Sequence, residues 1–111
     1  MKVKATKLGV ASYLAPDGAL VEESLASLAE AVRLEREGGA TDLVIDMRRV
    51  AFLDSAALEF MLDLATALRG AGGSLRLAAP SQVARDVLAI TRIDQSISVY
   101  DDVESAGRSF L

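Results

Sequence analysis

The chain has no cysteine, no histidine and no tryptophan in its 111 residues. The first two absences remove disulfides, thiol nucleophiles, serine-histidine triads and most transition-metal sites, because each needs a thiolate or an imidazole. No catalytic residue, metal or cofactor is therefore expected, and the chain reads as a binding protein, not an enzyme. Five aromatic residues, two Tyr and three Phe, supply few stacking platforms for bases. A net charge of −4 opposes direct contact with nucleic acid, whose phosphates call for a basic face. The only lysines, Lys2, Lys4 and Lys7, all lie in the first seven residues. No apolar run approaches the ~20 residues of a membrane span, so no membrane insertion is expected. Charges alternate from Met1 to Lys7 with no apolar stretch behind them, which argues against a secretory signal and for a cytoplasmic location.

What is present is a hydrophobic content of 51% delivered in short periodic bursts, enough for one domain over residues 1–111. The first twenty residues alternate loosely and break at Gly9 and at Pro16-Asp17-Gly18, which predicts two short strands, with lysines protecting an exposed edge. Leu25, Leu28, Ala29 and Val32 take helical spacing within residues 22–37; Glu22 and Glu23 suit the helix start, and Gly38-Gly39 ends it. The β-branched run 42–46 predicts an interior strand. Over 55–69 a helix is predicted with Leu58, Met61, Leu62, Ala65 and Leu68 inward and Glu59, Asp63, Thr66 and Arg69 outward. Gly70-Ala71-Gly72-Gly73 stops that helix. It is no phosphate loop, which would follow a strand, open a helix and carry Gly-Lys-Ser/Thr. A strand at 74–79, a helix opened by Pro80-Ser81 with Val83, Val87 and Leu88, a strand near 96–100 and a last helix to about Phe110 complete the order. Alternating strands and helices give an α/β fold: a mixed, mostly parallel sheet of four to five strands covered by about four helices.

The dipeptide Asp54-Ser55 stands between the predicted strand 42–46 and the predicted helix 55–69. At a helix start the unpaired N–H groups and the positive end of the dipole favour an acceptor oxygen or an anion. Asp and Ser are both preferred N-cap residues, so capping is the ordinary role of the pair and either could supply it. Two features point further. The apolar approach Ala51-Phe52-Leu53 would hold the turn at the surface, and Ala56 and Ala57 leave the hydroxyl open to a protein partner.

F-L-D-S-A-A-L after a strand ending V-I-D resembles the phosphorylation-site turn of STAS domains, in particular bacterial anti-sigma factor antagonists, whose usual form is F-[LM]-D-[ST]-[ST]-G-L. Phe52, Leu53, Asp54, Ser55 and Leu58 match, whereas Ala56 and Ala57 replace a Ser or Thr and a Gly. The resemblance continues through Gly73-Ser74-Leu75-Arg76-Leu77, through Leu88 to Ile93 against L-x-L-T-G-L-D, and through Val99 to Ala106 against a closing Y-D-S-L-E-x-A helix. It implies a single STAS-like domain with Ser55 as phosphoacceptor and a partner-binding surface of Asp54, Ser55, Ala56 and Ala57. The family's G-x-L-D before the first helix reads Gly18-Ala19-Leu20-Val21 here, so its aspartate is absent and Asp17 is the nearest substitute. The implied partners are an anti-sigma factor serine/threonine kinase, bound when Ser55 is unmodified so that a sigma factor is freed, and a serine phosphatase that resets the switch.

Three rival readings fit the residues less well or are not separated by them. STAS-like domains also serve as accessory subunits of membrane transport complexes, docking on a transporter ATPase without phospho-switching, and fold alone does not separate the two roles. A response-regulator receiver could use Asp46 as phosphoacceptor, yet it needs an acidic pair after the first strand and a lysine after a late one. Neither is present, so Asp46 reads as a solvated strand end and Arg48-Arg49 as a solvated basic pair. A hydrolase built on Asp54 and Glu59 has no reaction path without histidine, metal or pocket.

Overall fold

The computed structural model describes all residues, 1–111. Strands β1 (Lys2–Leu8) and β2 (Ala11–Asp17) form an antiparallel hairpin. A 3-10 turn (Glu22–Ser24) leads into α1 (Leu25–Glu37), followed by β3 (Asp42–Asp46), α2 (Ser55–Gly70), β4 (Ser74–Ala78) and α3 (Gln82–Ile90). A second 3-10 turn (Ile93–Gln95), β5 (Ser98–Tyr100) and α4 (Val103–Arg108) close the chain. The sheet order is β1-β2-β3-β4-β5, with every pair after the hairpin parallel. This is the mixed, mostly parallel sheet with four helices that the periodicity predicts. Lys2, Lys4 and Lys7 do lie on an edge strand, where charge deters pairing with another chain.

Because side chains alternate along a strand, each inner strand feeds two cores. Leu14, Leu43, Ile45, Leu75 and Leu77 join the main core with Leu28 and Val32 of α1, Met61 and Leu68 of α2, and Ala84 and Leu88 of α3. Ala11, Tyr13, Val44 and Ala78 face the other way, against Ala106 of α4. That explains why β3 reads as an unbroken apolar run: both of its faces are covered near its middle. α4 has only six residues and covers only part of its face. Its approach is close enough that a Cβ on Gly107 would stand 2.8 Å from the Tyr13 hydroxyl. Gly73 is tighter still, since a Cβ there would meet the Thr41 carbonyl oxygen at 1.8 Å.

Several local expectations need correction. The inward stripe of α2 is Ala57, Met61, Leu64, Ala65 and Leu68; Leu58 is half-buried and Leu62 exposed. α2 is apolar around much of its circumference, so two stripes one residue apart were compatible with its periodicity, and the sheet selects between them. α3 likewise buries Ala84 and Leu88 and exposes Val83. Pro16 lies inside β2, on the edge-hairpin pairing with Val3, and does not break the strand. Asp46 is not a solvated strand end: it is 6% exposed, and Arg48 folds back over it with Nε at 3.0 Å and Nη2 at 2.6 Å from its two oxygens. The pair satisfies a carboxylate that burial would otherwise penalise. Arg92, where the resembling segment has Gly, takes the left-handed conformation (φ 62°) that favours glycine.

Candidate functional site

The approach to α2 is held by the segment between β2 and α1. Leu20 forms a parallel bridge with Leu53; its N–H donates to the Phe52 carbonyl at 3.0 Å and its carbonyl accepts from Asp54 N–H at 3.2 Å. Gly18 N–H donates to the Arg49 carbonyl at 2.9 Å. Leu20 and Leu53 are buried, so this short ladder is anchored from below. The turn therefore stands at the surface on a fixed base, but of the expected approach only Leu53 is buried, Ala51 and Phe52 being exposed.

Asp54 is the N-cap, with extended backbone (φ −101°, ψ 179°), and its Oδ1 accepts the Ala57 N–H at 2.9 Å. Its Oδ2 accepts the Glu22 N–H at 3.0 Å. One carboxylate thus caps α2 and, across 32 positions of sequence, the 3-10 turn that opens α1. The backbone bonds from Ala57 and then Glu22 favour the charged form and hold its pKa below the usual carboxylate value. Sequence reasoning named Asp54 but missed this second bond, because nothing local links Glu22 to it.

Ser55 is the first residue of α2 and is exposed. With both carboxylate oxygens of Asp54 on backbone donors, capping does not require the Ser55 hydroxyl. Its surroundings differ from those of the other serines near helix starts. Ser24 Oγ donates to the carbonyls of Ala19 (2.8 Å) and Val21 (3.0 Å) and accepts from Val21 N–H (3.1 Å). Ser81 Oγ caps α3 by accepting from Ala84 N–H at 3.1 Å. Those two hydroxyls are committed to the fold.

The structure divides the remaining predicted site residues. Ala56 is half-buried beside Ser55, but Ala57 is fully buried in the main core, so its side chain forms no part of an accessible surface; α2 turns it inward one residue earlier than the predicted stripe. Asp17 lies at the far end of the ladder, exposed and paired with Arg49 at 3.6 Å, and does not replace the missing aspartate. Val21 occupies that place, and Ser24 instead ties its backbone. Phe52, expected only to help hold the turn and to match the motif, is 47% exposed and presents the largest apolar side chain beside the turn. Glu22 and Glu23, assigned only to the helix dipole, add carboxylates to the same end of the molecule. Asp54, Ala56, Phe52, Glu22 and Glu23 thus lie at the same end of the molecule as the exposed Ser55. No group of His, Cys, Asp or Glu side chains forms a metal cluster. No helix is long and apolar enough to cross a membrane.

A STAS domain family model matches residues 2–106. Among solved structures, a provisional anti-sigma factor antagonist of Thermotoga maritima superposes with a TM-score of 0.90 at 20% identity, covering 96% of this chain and 92% of that one. An anti-sigma factor antagonist of Mycobacterium paratuberculosis gives 0.82 at 18% identity, with 97% and 92% covered. The anti-sigma factor antagonist SpoIIAA in its unphosphorylated form gives 0.79 at 17% identity, with 97% and 96% covered. No curated relative matches the sequence.

Proposed function

Because the chain belongs to the STAS domain family, we propose that it is an anti-sigma factor antagonist whose binding is switched by phosphorylation of Ser55. The observation that carries this reading is the free, exposed Ser55 hydroxyl at a helix mouth whose cap is already supplied by Asp54. The unmodified turn docks on an anti-sigma factor serine/threonine kinase through Phe52, Asp54, Ser55 and Ala56, and so frees a sigma factor. The kinase transfers the γ-phosphoryl group of its own ATP to Ser55 Oγ, and a serine phosphatase later removes it by hydrolysis. The chain itself supplies a substrate hydroxyl and a docking surface and performs no catalysis.

The physics of the switch lies in the interface, not in the fold. A phosphoserine adds roughly −1.5 to −2 charge, and the first turn of a helix receives an anion well. Within a docked complex the same charge sits beside Asp54, and like charges brought together in an interface cost several kcal/mol. At about 1.4 kcal/mol per decade, affinity should fall by roughly a hundredfold or more. The fold of the modified protein should remain that of the unmodified one.

Incubating the protein with an anti-sigma factor kinase and ATP, then mapping phosphate by mass spectrometry, tests the site. Stoichiometric phosphate on Ser24 or Ser81 with none on Ser55 would remove the assignment. Calorimetry of the kinase with modified and unmodified protein tests the switch; equal affinities would refute it.

A further inference from the structure

The helices over the main core pack side by side in a regular way. On α2 the residues just before the core positions, Phe60 before Met61 and Ala67 before Leu68, share a groove with α1. Residues just after core positions lie on the opposite flank, so Leu58 after Ala57 and Leu62 after Met61 face α3, which follows the neighbouring strand. Arg69, after Leu68, marks the same side: it donates to the Ser96 carbonyl, between α3 and β5, at 3.4 Å. On α3 the residues just before the core positions are Val83 and Val87, ahead of Ala84 and Leu88, and Ile90 follows one turn later. This stripe, spaced i, i+4, i+7, faces α2 as Phe60 and Ala67 face α1. Little covers it. Val83 is 57% and Ile90 83% exposed, Leu62 is exposed, and Leu58 and Val87 are half-buried. Five branched aliphatic side chains thus line one trough open to water, and contiguous apolar surface of this kind marks an interaction site.

We propose that this trough is a docking site for one amphipathic helix of a partner protein, apolar along one stripe and basic along both flanks. From Val83 to Ile90 α3 rises about 10 Å, enough to seat two turns of a helix that is apolar at i, i+3 or i+4, and i+7. The rims set the charge of its flanks. Glu59 stands beside Leu58 on the outer side of α2, and Asp86 beside Val87 on the outer side of α3; both are exposed and neither is in an ion pair. Lysine or arginine flanks would face these carboxylates. A second copy of this chain would instead bring the same two carboxylates against themselves, and an anionic lipid surface meets the same repulsion. The trough starts one turn below Ser55, which shares a flank with Leu58 and Leu62 at i, i+3 and i+7. The contacts proposed for the kinase lie on the turn from Phe52 to Ala56 and are not needed here.

The test is calorimetric titration of the intact protein with a synthetic amphipathic peptide that carries leucines at helical spacing and lysines on both flanks, with amide shifts recorded in parallel. One equivalent should bind, with the largest shifts on α3 and on α2 from Leu58 to Leu62. Val83→Lys and Ile90→Lys should each weaken binding about tenfold or more, the scale of one aliphatic side chain kept from burial. Leu34→Lys makes the same change on an exposed leucine of α1 and should alter affinity less than about twofold. Glu59→Gln and Asp86→Asn should each weaken binding about threefold, as for a surface ion pair. Circular dichroism of each exposed-residue variant establishes that it is folded. Absence of binding at millimolar peptide would overturn the proposal. So would equal weakening by Leu34→Lys and Ile90→Lys, shifts centred on α1 or on the turn from Phe52 to Ala56, equal affinity for a peptide with glutamates in place of the lysines, or self-association of the protein that Ile90→Lys abolishes. No kinase is present in this experiment, so its failure leaves the assignment of Ser55 to its own test.

Discussion

Of the helices that begin beside a serine, α2 and α3 put it to different work. At α3 the serine is the cap: Ser81 Oγ takes the Ala84 N–H, and no other side chain is available for it. At α2 the aspartate one position earlier takes the corresponding N–H, and Ser55 is displaced to the first helical turn with its hydroxyl exposed. A shift of one residue in where the cap falls therefore separates a structural serine from one available for chemistry. The deciding difference is the residue before the serine: Asp54 offers a carboxylate to α2, whereas Pro80 offers α3 no side-chain acceptor.

The largest effect expected from this difference is in modification and binding. Phosphorylation should go to Ser55 and leave Ser81 unlabelled, and the modified protein should bind its kinase roughly a hundredfold more weakly or worse. A kinase assay followed by calorimetry measures both. Comparable labelling at the two serines would erase the distinction.

Next in size is the loss of the aspartate. Asp54→Ala removes acceptors for both Ala57 and Glu22, so it should lower the thermal midpoint further than Ser81→Ala, which removes one. The effect should also depend on pH with a defined sign. The folded-state pKa of Asp54 is depressed, so its stabilisation is complete above the unfolded-state value, near 3.8, and is lost as pH falls through the lower folded value. Stability measured between pH 7 and pH 2 should therefore bring wild type and Asp54→Asn together at the acid end.

Ser81→Ala should cost about 1 kcal/mol, the usual worth of a serine cap. In a domain of this size that is a fall of about 4 °C in thermal midpoint. Ser55→Ala is the smallest change: a few tenths of a kcal/mol at most, because alanine is the better helix former and no cap is lost. It should bind the kinase as the unmodified protein does, while Ser55→Asp should bind more weakly, carrying part of a phosphate's charge. If Ser55→Ala proved as costly as Ser81→Ala, with equal kinase affinity across all forms, Ser55 would be a second cap and the contrast would collapse.

The sequence made the element order and the sheet type legible because each rests on local periodicity: β3 and α2 are strong in isolation, and Gly38-Gly39 and the 70–73 run punctuate them. Asp54-Ser55 was visible for the same reason, as cap chemistry before an apolar stripe. What was hidden required two distant segments at once. Asp46 looked solvated because nothing in its neighbourhood announces that Arg48 folds back over it. The burial of Ala57 depended on which of two overlapping stripes the sheet would accept. The bond from Glu22 to Asp54 spans the whole of α1 and β3 and has no local signature.

That last bond has a kinetic consequence. A backbone amide exchanges its hydrogen only when its acceptor lets go, and the amides of Glu22 and Ala57 share one acceptor group. Any rotation of the Asp54 side chain that frees one loosens the other, so the two should exchange as a single opening event despite their distance in sequence. A molecule placed on the turn that immobilises this carboxylate would slow both together, and one that pulls it away would loosen the entrance to α1 along with the start of α2. The two helices are, in this sense, latched by one side chain that a partner can touch.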